Sequence, residues 1–421
     1  MTLPTSDRPR WTPKSEADIE RAIADDILEE THWWDAKQQL NTGKPANRGL
    51  AADLAAFSVD GGSILIGLHE DKSTGKFSLA PQPTLGVPEK IESIAASAVD
   101  PPLYIETTAI ASAADATLGY IVVEIPPSPR APHQVDGTYY GRGDKKNVYL
   151  SDGEVQRLHQ RRESVTNRIR LLLDREIARD PIPPADRQTG HVYLVAEPMA
   201  APPGVAVPFL RRPGIEDWIR QVTMVERLSS MTQREVGIAP SPPYLQSVER
   251  RGGAMANVAR SLAHSGRQLN PEIAERDQEP GLLDVEFLES GGLRVLVGRA
   301  TKEGRNGRWY VIDVMIVLYA RRLLDWVRKY GQAIGFRGTW ALGLHVDKLA
   351  GGTSSAFIDE TDFYSPTRYS SPSYEAATTA TTQELTGQPW DVGHRLAEGL
   401  VWSLGSYERV KHHLEPPTPL S

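Results

Sequence analysis

Short apolar segments separated by polar connections run along the first part of the chain. Ser15 and Asp18 have the spacing of a capping box and so predict the start of a helix. Bulky aromatics then alternate with polar residues from Trp33, which is typical of a strand. The predicted elements, in order, are a helix at 15–29, a strand at 33–38, a helix at 48–57, a buried strand at 64–68, a helix at 88–99, strands at 103–109 and 120–125, and a helix at 156–177.

The second half has the same mixture of helical and strand-like patterns. Strands are predicted at 191–195, 283–287, 293–299 and 338–346, and helices at 215–222, 314–330 and 392–404. The helix at 314–330 is amphipathic, with apolar residues at positions that favour one buried face. The Ser/Thr-rich tract at 369–382 contains few apolar residues, so we expect a solvent-exposed loop or a lid there.

Proline-rich connections suggest where one domain ends and the next begins. Residues 179–190 contain three prolines, which remove backbone donors and stiffen the chain. We therefore predict a flexible arm at 1–14, a first domain at 15–178, a linker at 179–190, an accessory domain at 191–408 and a tail at 409–421. The expected fold class is α+β for the first domain, followed by a mixed α/β accessory domain.

The composition is that of a water-soluble protein with real cores, since 40% of the 421 residues are hydrophobic and 24% are charged. The chain has no cysteine, which excludes disulfides, thiolate metal sites and cysteine nucleophiles and suits a reducing cytoplasm. No long apolar run and no signal-like start is present, so we expect neither membrane insertion nor secretion.

Three acids lie at the edges of apolar segments, namely Glu30, Asp35 and Glu70. Carboxylates are the ligands that Mg²⁺ and Mn²⁺ prefer, and a bound ion can activate water or polarise a phosphoryl group. Lys37 lies two residues after Asp35, on the same face of the predicted strand, where it can neutralise a phosphate or pair with an acid. Spacing alone also fits solvated or capping acids.

The net charge is -7, which is unusual for a protein that binds nucleic acid. Residues 130–162 are nevertheless locally basic, with aromatic residues interleaved. Such a tract can follow a phosphate backbone while aromatic faces meet bases, although a charged hairpin surface is the simpler explanation. The candidate nucleic-acid contacts are Arg130, Tyr139, Tyr140, Arg142, Lys145 and Lys146.

Residues 19–162 resemble the AlbA-like domain of the Schlafen family. The resemblance rests on the acid at position 30, the Asp-x-Lys at 35–37, the Gly-Gly pair at 61–62 before an apolar strand, and the Tyr-Tyr-x-Arg-x turn at 139–143, followed by a terminal helix at 152–162. The chain departs from the family pattern in four places: Asp35 replaces Glu, Ala36 replaces an aromatic residue, Ser-Val-Asp at 58–60 replaces Asn-Thr, and His69 replaces an acid. The second half resembles no family that we recognise.

The resemblance implies a metal-dependent endoribonuclease acting on tRNA-like or other structured RNA. It assigns Glu30, Asp35 and Glu70 to Mg²⁺ or Mn²⁺ and makes them, with Lys37, the catalytic set. It also implies a homodimer that grips RNA, with stress or phage defence as a setting. Two alternatives stay open: a non-catalytic regulator that binds DNA or RNA, and an interaction protein that merely oligomerises. A P-loop NTPase is excluded because no Gly-Lys-Ser/Thr follows the glycine pair.

Overall fold

The chain divides into two compact units, residues 1–163 and 164–421. The computed structural model describes residues 11–199, 201–224, 245–263, 266–304, 307–358 and 367–415. Most of the expected flexible arm, residues 1–10, and the last part of the expected tail, residues 416–421, lie outside the described residues. The boundary between the units falls inside one long helix, Asp152–Ala178.

The first unit mixes helices and strands, and the predicted α+β class is confirmed. Its helices are α1 (Glu16–Ala24), α2 (Lys44–Phe57), α3 (Val87–Ser97) and the start of α4 (Asp152–Ala178). Its strands are β1 (Trp34–Lys37), β2 (Gly62–Ile66), β3 (Leu68–Asp71), β4 (Lys76–Leu79), β5 (Gln82–Pro83), β6 (Glu106–Ala111), β7 (Leu118–Ile125), β8 (Gln134–Val135), β9 (Thr138–Arg142) and β10 (Asn147–Tyr149).

The central sheet of this unit has the order β1-β2-β7-β5, with β6 also paired to β7. Strands β1 and β2 are parallel and are joined through α2, as a crossover connection requires. Alternate side chains of β2 enter different cores: Ile64 and Ile66 pack with α2, whereas Leu65 packs with Trp34. Strand β2 is therefore buried on both faces.

The start of the chain follows the prediction with one difference in length. The capping box of Ser15 and Asp18 is present, but α1 ends at Ala24 instead of near residue 29. Asp26 takes a left-handed backbone conformation with φ of 52°, which stops the helix. Glu30 consequently lies in an irregular segment beyond the helix and close to the start of β1.

The apolar run at 64–68 forms parts of two strands where the sequence predicted one. Gly67 has φ of 110°, and a Cβ there would collide with the ring of Tyr120. The chain breaks at this glycine, so that Leu68 starts β3. Glu70 is therefore a residue of β3 paired with Phe77 of β4, and the prediction that it lies just beyond a strand end is wrong.

The second unit is built around a seven-stranded antiparallel sheet with the order β12-β13-β14-β15-β11-β18-β20. The strands of the whole second unit are β11 (Val192–Pro198), β12 (Leu245–Arg251), β13 (Ala254–Ala259), β14 (Leu283–Leu288), β15 (Leu293–Val297), β16 (Thr301–Glu303), β17 (Trp309–Val311), β18 (Thr339–Val346), β19 (Thr353–Ser354) and β20 (Tyr374–Thr381). Its helices are the end of α4, α5 (Val207–Leu210), α6 (Ile215–Thr223), α7 (Glu275–Gln278), α8 (Asp313–Ala333), α9 (Thr382–Gly387), α10 (Pro389–Ser403) and α11 (Tyr407–Val410), with short 3₁₀ turns at Ser355–Phe357 and Lys411–His413.

Helix α8 supplies much of the main core, as its apolar pattern predicted. Tyr319, Trp326 and Tyr330 are fully buried and belong to one cluster with the sheet residue Trp340. The expected loop or lid at 369–382 is wrong, because residues 374–381 form β20, paired with β18. Six of the eight residues of this strand are alanine or threonine, small and β-branched residues that fit a pleated surface.

Residues 179–190, which the sequence predicted as a linker, make contacts within the second unit. Asp180 accepts a hydrogen bond from Tyr193, and Arg187 pairs with Asp347. The domain boundaries predicted from the sequence stay a prediction. Of the helices that the structure describes, none combines the length and the apolar character needed to cross a membrane.

Candidate functional site

Strand β1 places Asp35 and Lys37 on one face, as their spacing predicted. Trp34 and Ala36 of this strand pack into the core on one face. The alternate positions, Asp35 and Lys37, therefore present their polar groups on the opposite face. The Lys37 ammonium lies 3.2 Å from Oδ2 of Asp35, which is largely buried. Parallel pairing fixes the register, because Asp35 lies opposite Ile64 and Lys37 opposite Ile66 of β2.

Five polar side chains from four elements form a closed set of contacts, which we call the charge ring. Lys37 joins Asp35 to Asp53 of α2, with 2.7 Å between its ammonium and Oδ2 of Asp53. Asn147 of β10 donates to the other oxygen of Asp53 at 2.6 Å. Arg142 of β9 donates to Asn147 and to Oδ1 of Asp35, both at 3.3 Å, and so closes the ring.

Arg142 is part of the interior of this site. Its side chain is only 4% exposed, and its guanidinium lies 4.5 Å from the centre of the Phe57 ring. Planar guanidinium groups suit such a position, since one face stacks on an aromatic ring while the edge donates hydrogen bonds. Arg142 therefore orients Asp35, and its predicted contact with nucleic acid is untested.

The three acids named by the sequence lie close enough to affect one another electrostatically. Burial raises the pKa of Glu30, and the charges of Asp35 and Glu70 raise it further. Glu30 also shares a hydrogen bond with Asp35, while the backbone N–H of Ala36 donates to it and acts in the opposite direction. Segment 25–33, β1 and β3 thus bring Glu30, Asp35 and Glu70 into one electrostatic cluster, here called the acid cluster.

The carboxylates of Asp53 and Asp35 stabilise the protonated form of Lys37. Burial alone lowers the pKa of its ammonium, but the carboxylates of Asp53 and Asp35 outweigh burial and raise it above the ordinary value. Lys37 is consequently a permanent cation beside Asp35. It pairs with two carboxylates, Asp35 and Asp53; pairing with an acid was one of the two roles that the sequence left open, and the other, contact with a phosphate, is untested.

The acid cluster does not form a ready-made metal site. Among the residues that the structure describes, no three His, Asp or Glu side chains are grouped so that they could hold one ion. Both oxygens of Asp35 already contact cations, Lys37 and Arg142. The assignment of Glu30, Asp35 and Glu70 as metal ligands and catalysts therefore stays a prediction.

The predicted nucleic-acid residues differ in their surroundings. Lys146 is exposed, and Lys145 is an exposed partner of Glu29 at 2.9 Å. Arg130 donates to the carbonyl of Pro102. The ring of Tyr139 meets His159 edge-on, and the ring of Tyr140 packs against Tyr149. The lysines are thus open to a large ligand, and the tyrosine rings are partly covered.

Sequence reasoning missed Asp53 and Asn147. Asp53 had a signal, because it is an acid inside the apolar run from Leu50 to Phe57 of α2, where a charge needs a partner. Asn147 had none, since its role depends on how β10 lies against α2. A polar cavity of about 200 Å³ adjoins this part of the ring and is lined by Lys37, Asp53, Asn41, Asn47 and Lys90, among others.

Comparison with known proteins finds a family resemblance for the first unit. No curated protein matches the chain. A solved structure, the N-terminal domain of a putative ATP-dependent DNA helicase RecG-related protein from Nitrosomonas europaea, is 20% identical. The match covers 33% of this chain and 92% of the solved chain. Its TM-score is 0.25, which is too low to establish a common fold. The model of the family described as Schlafen, AlbA_2 matches residues 30–151, a range that contains the charge ring and the acid cluster. Residues 30–151 are therefore a Schlafen AlbA_2-like domain.

Proposed function

We propose that the first unit binds RNA and cleaves its phosphodiester backbone at the acid cluster with the help of a divalent metal ion. The AlbA_2-like domain supports a function connected with nucleic acids. The finer proposal is supported by the negative charge around Glu30, whose pKa is raised by burial and further by Asp35 and Glu70. Gathering three acids at one place costs folding free energy, and such costs are typical of functional sites.

The three carboxylates have the chemistry that a hard cation prefers, but among the described residues they are not grouped around one ion, so they would have to close around it on binding. Carboxylates are the oxygen ligands that Mg²⁺ or Mn²⁺ takes. Burial and then repulsion from Asp35 and Glu70 raise the pKa of Glu30, and a bound cation would offset both effects. When bound, such an ion polarises a phosphoryl oxygen and lowers the pKa of an attacking water molecule. At Asp35 the ion competes with Lys37 and Arg142 for the same oxygens.

The protein side chains have separate tasks in this proposal. Arg142 and Lys37 hold the Asp35 carboxylate in place from opposite sides. Lys145 and Lys146, in the turn between β9 and β10, attract the phosphates of the polynucleotide. Because this turn follows directly from Arg142, the surface that binds RNA is continuous along the chain with the residue that orients Asp35.

Cleavage of total tRNA by the purified full-length protein in Mn²⁺ tests the proposal. Parallel reactions contain EDTA in place of metal, single-stranded DNA in place of tRNA, or one of the variants Asp35→Asn and Glu70→Gln. Glu89→Gln is the matched control, because Glu89 is an exposed acid of α3 outside the cluster. We expect cleavage by the wild type and the control alone, and only with metal.

Absence of cleavage by the wild type contradicts the proposal, and the binding of nucleic acid then distinguishes the two alternatives. Binding of RNA or DNA without cleavage favours a non-catalytic regulator, and the full occupation of Asp35 by Lys37 and Arg142 is the observation that favours it. Absence of both binding and cleavage favours an interaction protein. Light scattering with and without tRNA tests the accompanying proposal that two copies of the chain pair to grip RNA.

A further inference from the structure

A second pocket lies in the second unit, among α8, α9 and α10. Its volume is about 270 Å³, near the lower end of small-molecule sites. The lining combines apolar side chains, including Leu324, Leu385 and Pro389, with three arginines and one acid. The acid, Asp325, already pairs with Arg328 at 2.7 Å, so two positive charges are left over.

Arg322 is the first of these charges. It is 7% exposed, and its Nε is buried without a hydrogen-bond partner among the described residues. Its guanidinium lies 4.8 Å from the centre of the Tyr319 ring, one turn earlier in α8. Buried arginines ordinarily pair with carboxylates, because an unpaired buried donor destabilises the folded protein. In the part of the chain that the structure describes, no carboxylate pairs with Arg322, so its guanidinium can accept an anion from the pocket.

Arg321 is the second charge. It donates to the carbonyl of His413 at 2.9 Å and stacks on Trp390, 4.1 Å from the ring centre. Burial lowers the pKa of Arg321 to about 10. Neither contact supplies a negative charge, and an anion in the pocket would offset the cost of burial for both arginines.

The start of α10 adds a third feature. Helix α10 has 15 residues, and its N-cap, Gln388, makes no side-chain capping bond. Pro389 and Trp390, the first residues of this helix, line the pocket. The uncapped amides and the helix dipole therefore add positive potential at the same place as the two guanidiniums.

We propose that this pocket binds a small organic anion, whose phosphate or carboxylate group pairs with Arg322 and Arg321 and whose apolar body lies against Leu324, Leu385 and Pro389. The pocket belongs to the second unit alone, so the proposal does not depend on nuclease activity in the first. It gives the accessory unit a ligand of defined chemistry.

Isothermal titration calorimetry of the full-length protein tests this site with four probes: phenyl phosphate, benzoate, inorganic phosphate and benzyl alcohol. The first two separate a phosphate from a carboxylate, the third lacks the apolar body and the fourth lacks the charge. We expect saturable binding of phenyl phosphate or benzoate that is at least about tenfold tighter than binding of either control probe, since a charge-assisted bond contributes about that factor.

Variants locate the binding. Arg322→Met should weaken it by about tenfold or more, whereas Arg220→Met, at an exposed arginine of α6, should leave it unchanged. Thr386→Trp at the exposed mouth blocks entry without touching a buried side chain and serves if Arg322→Met proves unfolded by circular dichroism. The proposal is overturned if neither anion binds saturably, or if Thr386→Trp and Arg322→Met bind as tightly as the wild type.

Discussion

The ammonium group of Lys37 lies 2.7 Å from a carboxylate oxygen of Asp53, a residue sixteen positions further along the chain on helix α2. This pair connects the strand that carries Asp35 to the helix that crosses over to β2. The side chain of Asp53 is 17% exposed and that of Lys37 is 27% exposed, so water screens the contact only in part. The charge ring thus acts as a clamp between β1 and α2.

A double-mutant cycle measures this clamp. Asp53→Ala and Lys37→Met should each destabilise the protein by about 1–3 kcal/mol, because each leaves a partly buried charge without its partner. The double variant should lose less than the sum of the two single losses, with a coupling of about 1 kcal/mol. Urea unfolding gives the free energies. Additive losses would show that the two side chains do not interact.

Removal of Arg142 should cost more than removal of a surface cation. Arg142→Met leaves Asp35 with Lys37 as its remaining cation, and breaking a buried pair destabilises a protein by about 3–5 kcal/mol. Lys146→Met, at an exposed position four residues later, should change the free energy of unfolding by less than about 0.5 kcal/mol. Equal losses of the free energy of unfolding for Arg142→Met and Lys146→Met would contradict a buried position of Arg142.

Glu30 should be a residue whose charge opposes folding. Its raised pKa means that the folded protein favours the protonated form, so the charged form costs stability above that pKa. In EDTA at pH 7.5, Glu30→Gln should therefore stabilise the protein, by about 0.5 kcal/mol after allowance for solvent screening. The gain should disappear near pH 4, where Glu30 is already protonated. A loss of stability at pH 7.5 would contradict the repulsion inferred in the acid cluster.

The local parts of the site followed from the sequence. The capping box of Ser15 and the shared face of Asp35 and Lys37 depend on residues close together in the chain, and both predictions are confirmed. Gly61, the first glycine of the pair that precedes the apolar strand, has φ of 84°, in the left-handed region that favours glycine. The assignment of Glu30, Asp35 and Glu70 as one catalytic set, which the family resemblance implied, stays a prediction.

The other parts depend on contacts between distant segments. Arg142 looked like a surface cation of a basic tract, because nothing near it in sequence reveals that β9 places it over Phe57. Strand β20 looked like a loop, because its threonines and alanines form a strand only beside β18. Tertiary pairing decided both cases, and periodicity within one segment carries no information about it.

Stability in the second unit should fall as pH rises above neutrality, because of His191. This fully buried ring contacts Asp180 through Nδ1 at 2.7 Å and Glu279 through Nε2 at 3.1 Å. Burial alone lowers the pKa of His191, but its hydrogen bonds to Asp180 and Glu279 outweigh burial and raise it, with Asp347 adding to the effect. The stabilisation is fully present below the ordinary histidine pKa of about 6.5 and is lost as pH rises through the folded pKa.

The variant His191→Gln separates the contribution of His191 to the pH dependence of stability from the contributions of other titrating groups. Urea unfolding between pH 6 and 10 should show a decline of stability in the wild type that is reduced in His191→Gln. The control His69→Gln, at an exposed histidine of β3, should keep the wild-type decline. On the acid side the sign is opposite, since His191 helps to lower the pKa of Glu279 to about 2, and its stabilisation disappears only as pH falls toward that value. Identical profiles for wild type and His191→Gln would contradict the charged state assigned to the ring.

Lys145 and Lys146 should control the salt dependence of RNA binding if the turn between β9 and β10 lies on the phosphate backbone. Each lysine that neutralises a phosphate releases about one counterion, so Lys146→Ala should reduce the slope of log affinity against log salt by about 0.7–0.9. Lys145→Ala should have a smaller effect, because Glu29 already offsets its charge at 2.9 Å. Lys411→Ala, which alters a lysine of the second unit paired with Glu408, is the matched control. Filter binding of tRNA from 50 to about 300 mM salt gives the slopes, and an unchanged slope in Lys146→Ala would place the RNA on another surface.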